Sequence, residues 1–193
     1  MAKDFSSLRK LVIAKLNAEL APELTYHCTE HTIDVERVAI ELCKTEGISD
    51  ENQILLLRTA ALLHDSGYTL NFNNHEEKSC VLASELLPRF GYSAEEIDAI
   101  CEMISATRIP QQPQNKLSEI LCDADLDYLG REDFAEISDK LYKEFSWRGA
   151  VKTTEEWNGI QVAFFRQHSY FTASSQFARA EHKQKHLEEL ERI

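Results

Sequence analysis

The stretch AALLHDSGY (60–68) carries an apolar run that begins at Leu55 straight into an imidazole and a carboxylate, His64 and Asp65. Burying either group without a partner costs several kcal/mol, so other residues must meet them. Helical counting supplies candidates. His31 shares a stripe with Val35, Val38, Ala39 and Leu42, so it faces a core. His64 falls with Leu57, Ala60 and Ala61, and Asp65 continues the row Leu57, Ala61. In ILCDADLDYLGR (120–131), Glu119, Asp123 and Asp127 form one stripe, expected to be the wet face. Asp125 shares its row with Leu117, Leu121 and Tyr128 or Leu129, and is expected to be the buried carboxylate. Singly, each of these reads as a hydrogen-bonded core histidine or a paired aspartate. Together, two imidazoles and two carboxylates facing inward from three helices form a ligand set for one divalent cation with mixed N/O coordination. Such an ion would replace the hydration that burial removes.

The elements that must position these side chains are helical. Four prolines and six glycines punctuate the chain and period-two alternation is missing, whereas helical periodicity dominates. It predicts helices at about 4–20, 30–46, 51–65, 76–90, 93–107, 115–129, 132–147, 154–171 and 175–192, and the fold class is all-α. ISDEN and GYSAEE carry N-cap signals, and Gly47 and Gly91 are placed as C-terminal stops. The longest turn-like stretches, 66–74 and 107–115, flank the candidate ligands, and Pro110 and Pro113 interrupt the second. The expected organisation is a single-domain bundle, with an N-terminal helix (1–24) packing on a metal-binding core (25–131) that C-terminal helices (132–193) complete.

Thirty-three acidic against 21 basic residues leave a formal charge of −12, which argues against a broad grip on nucleic acid or on an anionic membrane. No apolar run approaches the roughly 20 residues that span a bilayer. The N-terminus lacks the apolar core and cleavage site of a secretory signal, so the expected location is cytoplasmic. Five cysteines show no C-x-x-C pair and read as reduced thiols.

YHCTEHTIDV (26–35), LLHDSGY (62–68) and DADLDYLG (123–130) together resemble the H…HD…D signature of the HD-domain metal-dependent phosphohydrolase superfamily. The resemblance implies an all-helical core and His31, His64, Asp65 and Asp125 as ligands of one divalent ion. Mn²⁺, Fe²⁺, Ni²⁺, Co²⁺, Zn²⁺ and Mg²⁺ all suit some version of this shell, imidazoles tilting against Mg²⁺. It also implies hydrolysis of a phosphate ester or anhydride, expected to be a nucleotide or cyclic nucleotide, with Asp65 orienting or deprotonating the attacking water. YHCTEH is similar to the Tyr-His-x-x-x-His stretch of cyclic-nucleotide phosphodiesterases, which casts His27 as the proton donor to the leaving oxygen. If the helix begins early, His27 lies one turn before His31 and both point to one cleft. His75 matches a further histidine of two-metal members, but MISATRIP (103–110) lacks the later histidine, so His75 is expected beside the site or at the substrate. Lys78, Arg108 and Arg131 border the site as candidate phosphate contacts. The aromatic segment around Trp157, Phe164, Phe165, Tyr170 and Phe171 completes the core or walls a nucleotide pocket, with Arg166, His168 and Arg179 as further candidates. A small phosphate-containing substrate is the expected partner, a homo-oligomer is compatible, and the alternative to an enzyme is a metal- and nucleotide-binding sensor that signals to a protein partner.

Overall fold

Asp4, Asp50, Ser93, Asn115, Thr153 and Thr172 each accept a hydrogen bond from the backbone N–H three residues on, and each starts a helix. Ser93 and Glu96 close a full capping box. The computed structural model describes residues 3–192, so Met1, Ala2 and Ile193 of the terminal segments lie outside the described residues. Among the described residues there are nine α-helices and no strand. They are α1 (Phe5–Glu19), α2 (Thr29–Thr45), α3 (Glu51–Leu63), α4 (His75–Leu86), α5 (Ala94–Ala106), α6 (Lys116–Asp125), α7 (Phe134–Trp147), α8 (Thr154–Gln167) and α9 (Ala173–Leu190). The all-α expectation holds. Gly47 and Gly91 end their helices in the left-handed region, where a side chain is strained.

Several expected helices stop early, among them α4, which ends at Leu86 and gives way to a 3-10 turn at Leu87–Phe90. α3 ends at Leu63, α6 at Asp125 and α8 at Gln167, and short 3-10 turns follow the first two, at Ser66–Thr69 and Asp127–Gly130. Both of these last turns begin within two residues of candidate ligands, so the helices deliver those side chains and then leave. The first turn is pinned by close approach. A Cβ on Gly67 would stand 2.0 Å from the His75 carbonyl oxygen. Its N–H donates to Ser79 Oγ, which donates in turn to the His64 carbonyl. α4 is thereby fixed against the residues that follow α3.

Two apolar clusters flank the ligands. The larger joins Leu8, Val12 and Leu16 of α1 to Val35, Leu57, Leu63, Ile104 and Leu121 of α2, α3, α5 and α6. The second joins Tyr26, Leu126, Leu129 and Phe134 to Phe165, Tyr170, Leu187 and Leu190 of the C-terminal segment. Much of that aromatic segment is therefore core, as a buried aromatic's large apolar area favours. Ala124 belongs to the first cluster and Leu126 to the second, which leaves Asp125 at their junction. All five cysteines are free thiols. No helix among the described residues is long and apolar enough to cross a membrane.

The expected wet face of α6 is wrong. Asp123 and Asp127 are buried, while Asp125 is the more open of the three. Periodicity reports which residues share a row, not what covers it, and here the residues entering α9 and α9 itself cover it. Asp123 accepts from the backbone N–H groups of Phe171 and Thr172 and from the Thr172 hydroxyl. Burial pushes its carboxyl above the usual range against those bonds. Asp127 takes the Arg179 guanidinium at 2.7 and 3.2 Å. Asp123→Ala should therefore lower the unfolding free energy by about 3 kcal/mol, since each stranded buried donor costs about 1–3 kcal/mol. Asp139→Ala, which removes only an exposed pair with Lys143, should cost under about 0.5 kcal/mol. Urea titrations compare the two, and equal small losses would mean that Asp123 is solvated after all.

Candidate metal centre

α2 delivers His31, the C-terminal end of α3 delivers His64 and Asp65, and the last residue of α6 is Asp125. Their inner atoms converge. His31 Nε2 lies 3.1 Å from Asp125 Oδ1, 3.5 Å from Asp65 Oδ2 and 3.4 Å from His64 Nε2. His64 Nε2 lies 3.3 Å from Asp65 Oδ2 and 3.5 Å from Asp125 Oδ1. Ligands of one ion at about 2.0–2.2 Å stand about 3.0–3.5 Å apart in octahedral or tetrahedral arrangement, so the spacing suits a shared cation. His31, His64 and Asp65 present atoms that all lie within 4.8 Å of one another, and Asp125 joins through both imidazoles.

The donor chemistry fits as well. Asp65 Oδ2 is buried and has no hydrogen-bond partner. His64 Nδ1–H donates to the Ala61 carbonyl at 2.8 Å, which fixes the tautomer that leaves the Nε2 lone pair pointing inward. On the far side of Asp65, His75 Nε2 stands 3.4 Å from Oδ1, its ring stacked on Tyr68. Burial opposes charge on His64, but Asp65 and Asp125 outweigh it and hold the imidazole well above its ordinary value. Burial also disfavours the two carboxylates, yet the imidazoles prevail: His64 and His75 hold Asp65 well below the usual range, and His31 and His64 bring Asp125 to about 2. A proton and a cation compete for the same lone pairs.

His27 reaches this centre by a route the sequence did not reveal. α2 begins at Thr29, so His27 precedes the helix and periodicity does not aim it. Glu144 of α7 does. Its Oε2 takes His27 Nδ1 at 2.6 Å, and Oε1 accepts the backbone N–H of His27 at 2.8 Å and that of Tyr26. Glu144 is fully buried, and the ring of His27 lies against Tyr68. Burial works against its protonation, but the Glu144 bond and the Asp65 charge raise its pKa above the ordinary value. A signal for Glu144 existed: it continues the α7 row of Ile137 and Leu141, the same inward placement that marked Asp125 on α6. Tyr68, quoted within the motif, and Arg148 also line the site without having been assigned a part.

His27, Asp65, His75 and Asp125 open into one cavity of about 360 Å³ whose far walls come from α7 and α8. The sequence-nominated cations are not among its lining residues. Lys78 donates to the Asn73 carbonyl in an exposed position, and Arg108 pairs with Glu76 and Glu77. Arg131 lines a separate cavity of about 170 Å³ that also touches His31 and Asp125, but Asp34 and Asp133 clamp it. Arg166 pairs with Glu191 on the surface and Arg179 with Asp127. His168 stacks on Phe164 outside the cavity, and burial together with the Lys183 charge depresses it to about 4.

A profile of the HD domain matches residues 29–127, the span that contains all four converging ligands. An uncharacterized protein of Clostridium beijerinckii is 33% identical over 85 residues, which make up 42% of this chain and 53% of that protein, so the chain spans about half the length of the curated relative it matches. The crystal structure of a predicted HD superfamily hydrolase from an uncultured Thermotogales bacterium superposes with a TM-score of 0.61 at 20% identity, over 95% of this chain and 89% of that one. The fold is shared along nearly the whole chain, and with half of the sequence matched by the domain profile, this chain belongs to the HD domain family.

Proposed function

We propose that the protein is a metal-dependent phosphohydrolase that cleaves a phosphate ester with water. The observation that carries this reading is the convergence of His31, His64, Asp65 and Asp125, with the orphaned Asp65 Oδ2, beside a histidine that a buried glutamate holds. A divalent ion held by those four residues supplies Lewis acidity, polarising a phosphoryl oxygen and acidifying a water. Asp65 turns Oδ2 toward the His31 and His64 nitrogens and Oδ1 toward His75, so it would be placed to orient the water and take its proton. His27 directs Nδ1 at Glu144, which leaves Nε2 to protonate the leaving oxygen as the phosphorus–oxygen bond breaks. Glu144 is a positioning residue: it sets the ring's direction and favours the imidazolium.

Nucleotides and cyclic nucleotides, expected from the sequence, belong to this substrate class, and aromatic walls can stack a base. The sensor alternative gives the cavity a ligand but leaves the Glu144–His27 pair without a task. A panel of phosphate esters assayed across Mn²⁺, Mg²⁺, Fe²⁺, Co²⁺, Ni²⁺ and Zn²⁺ tests the reading. Failure of every ester with metal bound would favour the sensor.

Elemental analysis should find one divalent ion per chain, lost in His64→Ala and in Asp65→Ala together with turnover. Chelation should lower the melting temperature of the wild type, because a ligand that binds only the folded state stabilises it, by about 4 kcal/mol at a thousand times its Kd. Asp139→Ala, which removes only the exposed pair with Lys143, is the neutral comparison. A variant pair with equal losses and equal circular dichroism would remove the centre from the reaction.

His27→Ala should keep the metal and lose turnover by roughly 10²–10⁴-fold on alkyl esters, while nitrophenyl esters, whose leaving group needs no proton, lose little. Glu144→Gln should move the alkaline limb of the rate profile to lower pH. The sign follows from the wild type: the acid form of His27 is present below its raised pKa and is lost as pH rises through it, and removing the carboxylate lowers that value. An unshifted limb would assign the limb to another group.

A further inference from the structure

The cavity beside the metal centre has two kinds of wall. Around His27, Asp65 and Asp125 it is polar, whereas α7 and α8 contribute Leu141, Phe145, Trp157, Ile160, Phe164 and Phe165. Its volume of about 360 Å³ falls within the range of about 300–1,000 Å³ typical of small-molecule sites. The polar atoms along the apolar walls are mostly already paired. Trp157 Nε1 donates to Ser138 Oγ at 3.3 Å, and Ser138 donates to Gln161 Oε1 at 2.5 Å. Thr107 gives its hydroxyl proton to the Ile104 carbonyl. What α7 and α8 offer a ligand is the Gln161 amide N–H and little else. A nucleoside lying along these two helices would bring ribose hydroxyls and several ring acceptors that the Gln161 amide alone could meet there, the other polar groups of the cavity standing on the metal-centre side.

Charge narrows the ligand further. Among the described residues that line this cavity, Arg148 is the only lysine or arginine, and Asp65, Glu76 and Asp125 line it as carboxylates. Arg148 lies over the Phe72 ring at 5.0 Å, and Phe72 also meets Trp147 edge-on. A triphosphate or diphosphate would set its outer phosphates among acids with one guanidinium to offset them. A single phosphate would be met by the metal centre alone.

From these features we infer that the substrate is a singly phosphorylated ester with an apolar alkyl or aryl body, its phosphate at the metal centre and its body in the chamber between α7 and α8. This rests on the phosphohydrolase reading and specifies the ester. The chemistry is balanced: water attacks phosphorus, the bond from phosphorus to the body's oxygen breaks, and that oxygen leaves as an alcohol carrying the proton from His27, with inorganic phosphate as the second product. The mostly apolar chamber favours the hydrocarbon part by removing it from water.

The test uses the Mn²⁺-loaded full chain and n-alkylphosphonates from methyl to octyl, which bind without being hydrolysed, with AMP as the nucleotide comparison, measured by calorimetry. Affinity should rise roughly 3- to 4-fold per methylene until the chamber is full, the value expected for burying one CH₂. Octylphosphonate should bind more tightly than AMP. Trp157 lines the chamber, so tryptophan emission should change with the longer chains and not with methylphosphonate. Ile160 is 43% exposed at the wall, so Ile160→Asp should fold, keep methylphosphonate affinity and flatten the chain-length series. A flat series in the wild type, or AMP binding more tightly than octylphosphonate, overturns the inference even if AMP is hydrolysed, and the phosphohydrolase reading then stands with a nucleotide substrate. A rising series with no turnover of hexyl or phenyl phosphate under any metal supports the apolar occupant and overturns hydrolysis instead.

Discussion

The structure turns on a single electrostatic constraint: two imidazole nitrogens and two carboxylate oxygens are pressed to within 3.1–3.5 Å along five contacts in a nearly dry site. Without a cation His64 offsets the carboxylates by holding a proton, which is why it is driven up while Asp65, beside that charge, is driven down. The surroundings leave that choice to the inner atoms. Each outer atom with a partner is committed elsewhere, His64 Nδ1 to the Ala61 carbonyl and Asp65 Oδ1 to the neighbourhood of His75, so the unsatisfied valence points to one spot. Such outward tethers fix tautomer and orientation as much as the ligands themselves do.

The helices satisfy this constraint by where they stop. α3 and α6 each end within two residues of the ligand they deliver, and a 3-10 turn then carries the backbone away. A longer α3 would drive Ser66 to Thr69 along the helix axis and break the contact of Gly67 with α4 that brings His75 beside Asp65. Apolar burial supplies the energy for the surrounding clusters. Leu57, Leu62 and Leu63 are each at most 1% exposed, and a fully buried leucine contributes about 1.5–3 kcal/mol. The polar centre sits where those two clusters meet, at Asp125.

Most of the helical order, the N-caps at Asp50 and Ser93 and the inward placement of His31, His64 and Asp65 were legible because they depend on local periodicity and on cap chemistry, whereas Asp125 was marked by the motif, its expected burial relative to Asp123 and Asp127 being reversed. What was not legible depends on the partner across space. Asp123 and Asp127 share a polar stripe with Glu119, and nothing in that stripe shows that Thr172 and Arg179 will cover it. Arg131 and Arg108 flank the motifs in sequence, yet their nearest carboxylates claim them. His27 is the reverse case. The motif nominated it correctly for the cavity, but the helical reason was wrong, since a glutamate 117 residues away sets its ring.

The same distinction bears on substrate choice. The candidate ligands come from α2, α3 and α6 inside the span that the domain profile covers, whereas most of the apolar wall comes from α7 and α8 beyond it. Glu144 joins the two halves: it lies on α7, one residue from the wall residue Phe145, and holds the histidine that faces the metal centre. A shift of α7 that reshaped the chamber would therefore also turn His27. On the proposed reading chemistry and specificity would share one helix, so a change of wall residue on α7 is expected to alter leaving-group protonation as well as binding, while a change on α8 would alter binding alone.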